Sequence, residues 1–252
     1  MTGTEQEMCG RFALTATPEE VRRLFAHIDR PDFPPREEIA PTEPIGVVCL
    51  RSGARHFDLV RWGFVPAWAK DPGAFSLVIN ARAETAVKKP SFRTAMRHGR
   101  CLVPATAWWE WGPTADGRRA HRIAPSGGGL FAFAGLVETW AGADGSEIDT
   151  AAILTVAANA ALAPVHDRMP AILAPEDFET WLDTARVGPE AAARLLRPAA
   201  DALFVAVPTA TAADRRRAAA RAERPAARPK KSAAPAADAQ FDLFSGPDLA
   251  QG

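Results

Sequence analysis

Residues 100–111 read Arg-Cys-Leu-Val-Pro-Ala-Thr-Ala-Trp-Trp-Glu-Trp. The apolar and aromatic run from Cys101 to Trp111 predicts a strand. With alternating side chains, Trp109 and Trp111 share one face, and Trp108 and Glu110 the other. A carboxylate set among tryptophans is desolvated, which favours its protonated form and lets it hold or relay a proton near neutrality. The competing reading is a glutamate on a solvated face, or one paired with a core arginine.

Outward from this run, short strands are predicted at 45–50, 55–62, 129–139 and 151–157, each bounded by Gly, Pro, Asp or Ser. Residues 17–28 predict a helix: Thr17 is an N-cap, Pro18 sits at the first helical position, and Glu20 completes a capping box. Val21, Leu24, Phe25 and Ile28 form its core-facing stripe. Pro-rich residues 31–44 predict a loop, and 175–184 and 189–196 short helices. Several strands with a few segregated helices give an α+β class built on antiparallel sheet.

One domain is expected over residues 9–210, preceded by an N-terminal extension at 1–8. Residues 211–239 read as a disordered linker. From 212 to 239 the chain is rich in Ala, Arg, Pro and Lys and lacks aromatics, so it buries too little apolar surface to offset ordering entropy. Residues 240–252 form a terminal tail.

Bulk properties exclude several classes. Hydrophobic content of 47% is ample for a core. No apolar run is long enough to span a membrane, and no secretory signal opens the chain. Three cysteines without metal-type spacing, and five scattered histidines, argue against a disulfide framework or a metal centre. A reduced cytoplasmic setting follows, with nucleoid association when the protein is on DNA. No metal and no cofactor are expected. The 30 basic and 30 acidic residues balance, so whole-chain charge gives nucleic-acid binding no support. Any DNA contact must come from a local basic patch.

Four stretches carry chemistry: Cys9-Gly10-Arg11-Phe12; Arg61 to Trp68 with Asn80 to Thr85; Arg100 to Trp111; and His166-Asp167-Arg168-Met169-Pro170. His166 ends an apolar run and opens a charged turn, where it can exchange a proton at physiological pH or serve as a surface cap. Asn80 and Arg82, two apart in an extended segment, project to one side; the alternative for Asn80 is a turn former. Trp62 and Trp68 beside arginines suit base stacking on single-stranded nucleic acid, or are core tryptophans.

Taken in order, CGRF, NAR, WWEW after RCLVP, and HDRMP resemble the SOS-response-associated peptidase (SRAP) family, the abasic-site-processing proteins. The resemblance runs from about Met8 to about residue 208 and includes Ile39-Ala40-Pro41, Phe133 to Leu136, and Thr155 to Asn159. It implies a compact α+β domain with a curved, barrel-like antiparallel sheet around a DNA groove. It implies that Cys9 crosslinks to abasic sites in single-stranded DNA, with Asn80, Glu110 and His166 as the other catalytic positions. Arg11, Arg82 and Arg168 match positions near the DNA backbone, Pro41 a wedge, and Trp62 a stacking residue. Trp68 and Thr155 complete the expected DNA-binding set. The family name reflects self-processing, a peptidase step that frees Cys9; hydrolase and lyase chemistry both fall within the expectation. The working unit is expected to be a monomer.

The covalent chemistry is argued independently. A ring-opened abasic deoxyribose presents an aldehyde. A terminal amine with a pKa of ~7.8 is roughly 14% neutral at about pH 7, against about 0.04% for a lysine at ~10.4. An N-terminal cysteine is thus the better imine former, and its thiol can then close a five-membered thiazolidine. Seven residues, MTGTEQE, precede Met8. The mechanism therefore requires translation from Met8 with Met removal, or clipping before Cys9.

In the tail, Gln240-Phe241-Asp242-Leu243-Phe244 resembles the peptide by which bacterial repair proteins bind the β sliding clamp, with Gln240, Leu243 and Phe244 as anchors. Two rival functions stand beside the main one. An N-terminal-cysteine amidotransferase of the Ntn type shares Met-Cys-Gly but leaves HDRMP and WWEW without a role. A non-covalent single-strand-binding module would leave Cys9 structural.

Overall fold

The computed structural model describes residues 10–115, 117–211 and 214. Its strands are β1 (Arg11–Leu14), β2 (Arg36–Ile39), β3 (Pro44–Arg51), β4 (Ala54–Trp62), β5 (Asn80–Arg82), β6 (Arg100–Ala105), β7 (Ala107–Thr114), β8 (Gly117–Pro125), β9 (Phe131–Ala141), β10 (Glu147–Ala157), β11 (Arg168–Pro170), β12 (Ile172–Leu173) and β13 (Phe204–Pro208). Five short helices flank them: α1 (Pro18–Phe25), α2 (Ala83–Ala86), α3 (Arg93–His98), α4 (Phe178–Leu182) and α5 (Pro189–Ala193). The α+β class is as expected.

The run from Cys101 to Trp111 is two strands, not one. It breaks at Thr106, whose N–H donates to the Ala13 carbonyl at 2.8 Å. The Thr106 hydroxyl in turn accepts from the Thr15 N–H at 3.1 Å. β6 runs in one sheet and β7 in another. One apolar stretch thus joins the two layers of the molecule.

The first layer is a barrel. Strands β4, β3, β6 and β9 pair in that order, and β10 closes the ring by bonding β9 on one edge and β4 on the other. The closure is not purely antiparallel: β10 runs parallel to β4 and to β5. The second layer is the antiparallel sheet β13-β8-β7-β1-β2. Its four-residue β2 lies inside the stretch predicted as a loop at 31–44, where Ile39 and Arg36 pair with Phe12 and Leu14 of β1.

Aromatic side chains join the layers. Phe12 and Trp108 come from the sheet, and Trp62, Phe131 and Phe133 from the barrel. Phe12 meets the edge of Trp62 at 5.1 Å and of Phe133 at 5.9 Å. Trp108 meets Phe131 and Phe133 at 5.8 and 6.0 Å. Each such pair adds ~0.5–1.5 kcal/mol beyond its burial. Arg100 pins α4 from below: the buried guanidinium donates to the carbonyls of Trp181, Met96, Asp183 and Val187 at 2.6–3.0 Å.

The capping box of α1 forms as read, with reciprocal Thr17 and Glu20 bonds. Its stripe is shorter than expected. Val21 and Phe25 are fully buried, but Ala26 adopts a left-handed conformation (φ 52°) that ends the helix, leaving Ile28 62% exposed. At the other end, Thr211 is buried and its N–H and hydroxyl donate to Asp214. The sliding-clamp pattern at Gln240, Leu243 and Phe244 lies outside the described residues, as does Cys9. No helix among the described residues is long and apolar enough to cross a membrane.

Candidate active site

The N-terminal strand delivers its first residues to one place. β1 pairs with β7 from Arg11 opposite Trp109, so Gly10 arrives beside Glu110. A Cβ on Gly10 would lie 4.0 Å from Ile79, the residue before Asn80. A Cβ on Gly112 would press within 2.9 Å of Val165, the residue before His166. Gly10, Glu110, Asn80 and His166 therefore converge from β1, β7, β5 and the turn before β11. Cys9 itself is outside the described residues, but Gly10 is the next residue in the chain.

Glu110 is 3% exposed. That removes the solvated-face reading. Its Oε1 accepts from the Trp111 N–H at 3.3 Å. Trp108 and Trp109 fall on opposite faces as alternation predicts: Trp108 joins the main core, and Trp109 packs with Ala13, Ala107 and Ala120. Opposite Glu110 on β8 stands His121, also buried, which sequence reading missed. Only the β7–β8 register brings it there, and no local pattern marks it.

Asn80 is a strand residue, not a turn former. It pairs with Ile153 of β10, and Arg82 pairs with Thr155, so the two share a face. The carbonyl of Ile79 holds this segment, accepting from the Trp62 indole at 3.0 Å and from the Ile153 N–H at 3.0 Å.

That bond corrects one expectation. Trp62 is 0% exposed and packs against Phe12. It cannot offer a face to a base; its work is to seat the strand carrying Asn80. Trp68 is different: 59% exposed, it rests on Phe75 at 5.7 Å and keeps surface for stacking. Pro41 lies in a turn whose next residue, Thr42, donates its N–H to the Trp62 carbonyl at 2.7 Å.

His166 keeps 10% of its side chain exposed, so the surface-cap reading does not fit. Burial pushes its pKa below the usual histidine range; Asp167 raises it, and Arg118 and Arg168 lower it further. The neutral ring is the resting form near neutrality. Its Nδ1 accepts the Arg168 N–H at 3.1 Å, so the proton sits on Nε2.

Arg168 makes a bidentate pair with Glu84 at 2.8 and 3.0 Å and donates to the Thr155 carbonyl at 2.6 Å. Thr155 is 1% exposed and lies beneath Arg168, so it braces the arginine and has no surface for direct DNA contact. Glu84 was quoted in the Asn80 stretch without a role; its complementary charge to the arginine of HDRMP was the available signal. Arg11 pairs with Glu38 at 2.9 Å, and Arg82 is exposed. The site thus holds a buried carboxylate, a neutral histidine with a fixed tautomer, an amide, and arginines around them. Such a set can protonate an oxygen, accept a proton, and attract a phosphate backbone. Among the described residues, no group of three or more His, Cys, Asp or Glu could hold a metal ion.

Known proteins of similar sequence and fold identify the family. The chain is 35% identical over 196 residues to abasic site processing protein YoqW of Bacillus subtilis (strain 168), covering 76% of this chain and 87% of that protein. It is 33% identical over 190 residues to abasic site processing protein YedK of Escherichia coli (strain K12), covering 73% and 83%. A solved phage-related protein from Bordetella bronchiseptica superposes with a TM-score of 0.65 at 29% identity, covering 81% of this chain and 95% of that one. The family model described as SOS response associated peptidase (SRAP) matches residues 8–214, and the chain belongs to that family.

Proposed function

We propose that this protein processes abasic sites in single-stranded DNA by forming a covalent crosslink through Cys9. The observation that carries the reading is the arrival of the first described residue, Gly10, beside Glu110, Asn80 and the turn bearing His166. Gly10, the residue next to Cys9 in the chain, thus lies opposite the buried Glu110.

As the sugar opens, the bond from C1′ to the ring oxygen breaks: the imidazolium form of His166, with Asp167 2.8 Å from its Nδ1, protonates the ring oxygen from Nε2, and Glu110 takes the C1′ hydroxyl proton, giving the C1′ aldehyde. The free amine of Cys9 adds to that carbon, and water leaves to give an imine, with Glu110 accepting and returning the protons. Asn80 orients the sugar or the amine. The Cys9 thiol then adds to the imine carbon; its proton goes to nitrogen, and the thiazolidine ring closes. Gly10 has no side chain, which permits close approach of the backbone to DNA. The first requirement is removal of everything through Met8, by translation from Met8 with Met excision or by peptide cleavage before Cys9.

Denaturing electrophoresis with an abasic single-stranded oligonucleotide tests the reading. The wild-type protein gives a heat-resistant adduct, and Cys9→Ala gives none. An adduct that survives in Cys9→Ala overturns the assignment, and binding without any adduct selects the non-covalent alternative. Intact mass shows whether the active chain begins at Cys9. The tail is proposed to dock on a sliding clamp through Gln240, Leu243 and Phe244; a peptide spanning 236–252 that does not bind purified clamp removes that partner.

A further inference from the structure

Two thiols lie on neighbouring barrel strands, Cys49 on β3 and Cys101 on β6, and the proposed crosslinking chemistry uses neither. β3 meets β6 at the thinnest seam of the ring: its register is the single pair Val48–Leu102. By contrast, β3 and β4 pair from Pro44–Arg61 through Arg51–Ala54. The next residues across the thin seam are Cys49 and Cys101, directly opposite in the antiparallel register. The Cys49 side chain is near enough to help raise the pKa of the Cys101 thiol. Gly135 makes room for this: a Cβ there would fall 2.7 Å from the Cys101 sulfur.

The thiols differ in access. Cys101 is 0% exposed, whereas Cys49 retains 9% and lines a cavity of about 250 Å3 at the barrel mouth. Arg51, Asp58, His98 and Asp149 rim the same cavity. Cys49 borders this cavity, whereas Cys101 does not line it.

We propose that Cys49 and Cys101 are a modification site, a cross-strand dithiol that a peroxide converts to an intramolecular disulfide. Opposed antiparallel residues have Cα atoms ~4.5–5.5 Å apart, inside the ~4.4–6.8 Å span a disulfide requires. The Cys49 sulfur, as thiolate, attacks a peroxide oxygen; the O–O bond breaks and hydroxide leaves. Cys49 is then a sulfenic acid. The Cys101 sulfur attacks it, the S–O bond breaks, and water leaves carrying the Cys101 proton. Overall, two thiols and one hydrogen peroxide give one disulfide and two waters; the sulfurs lose the two electrons that the peroxide oxygens gain. Burial pushes the Cys101 thiol up, which fits its place as the second, resolving sulfur. The new bond staples β3 to β6 where their pairing is sparsest. This site is independent of the crosslinking chemistry.

The test uses the full chain with Cys9→Ser, so that only Cys49 and Cys101 remain. After hydrogen peroxide, the intact mass falls by two hydrogens, both thiols vanish from a denatured thiol titration, and digestion yields a peptide pair linking Cys49 to Cys101. Adding Cys101→Ser stops the reaction at a Cys49 sulfenic acid that dimedone traps. Oxygen added to Cys49 while Cys101 stays free overturns the proposal. So does retention of both thiols under peroxide that fully oxidises free cysteine.

Discussion

The backbone N–H of Arg168 donates to Nδ1 of His166 at 3.1 Å. The same nitrogen lies 2.8 Å from a carboxylate oxygen of Asp167. It cannot accept from the amide and donate to the carboxylate at once. Burial favours the neutral ring, so the amide bond is made and Asp167 waits for protonation.

His166 should therefore titrate below the ordinary ~6.5 of histidine. The folded value lies under the unfolded one, so the unfolded chain binds more protons between the two. Stability from this group is present above about pH 6.5 and is lost as pH falls through the lower folded value. Histidine NMR titration checks it, and a midpoint above that of free histidine refutes the arrangement. His166→Ala slows crosslinking by ~10²–10⁴-fold if the ring is the general acid; an undiminished rate removes the role.

His27 gives a second acid-sensitive position, this one structural. It is 2% exposed, packs on Phe57 at 5.3 Å, and neither ring nitrogen has a hydrogen-bond partner. Burial lowers its pKa against the pull of Asp29. His27→Phe keeps the ring and removes two desolvated nitrogens, so it should stabilise the fold by ~1 kcal/mol. The gain should grow as pH falls below about 6.5, because the wild-type ring then opposes folding more strongly. Urea unfolding at neutral and mildly acid pH measures both effects.

Gly112→Ala should separate β7 from the turn carrying His166. The added carbon would sit 2.9 Å from both Cα and O of Val165, and backbone yields less readily than a side-chain tip. Overpacking of this kind costs ~1–3 kcal/mol. Crosslinking should fall by more than the loss of stability explains, because the turn carrying His166 shifts relative to the strand carrying Glu110. Rates measured well below the unfolding midpoint make that distinction.

Arg100→Met should be strongly destabilising. It leaves the carbonyls of Trp181, Met96, Asp183 and Val187 without the donors that now satisfy them. At ~1–3 kcal/mol for each buried group left unsatisfied, even partial rearrangement costs several kcal/mol. Arg100→Lys keeps the charge but not the planar fork and should recover only part of the loss. Denaturant midpoints for the pair check this.

The sequence showed what local chemistry writes and hid what closure writes. Thr17 and Glu20 sit three apart and bond each other, so the start of α1 was legible. Its end was not, because Ala26 takes a left-handed turn without the glycine that usually marks one. The break at Thr106 carries no Gly or Pro on either side; it is set by Ala13 and Thr15, which lie far away in the chain. Asn80, Glu110, His166 and Arg168 were recognisable by motif, but not the roles of Trp62 in seating the Asn80 strand or of Thr155 and Glu84 in holding Arg168. Those roles follow from the β5–β10 and β10–β11 registers, which no window of sequence contains.

The parallel seat that β10 provides for β5 also orders events during synthesis. Asn80 gains its neighbour Ile153 only after more than half the chain has been made. His166 and Arg168 emerge later still, and β13 last of all. The N-terminus leaves the ribosome first. A nascent chain thus displays its amino end long before the acid–base set that would activate it exists. Under the proposed chemistry, premature self-capture of aldehydes is held back by the order of translation itself.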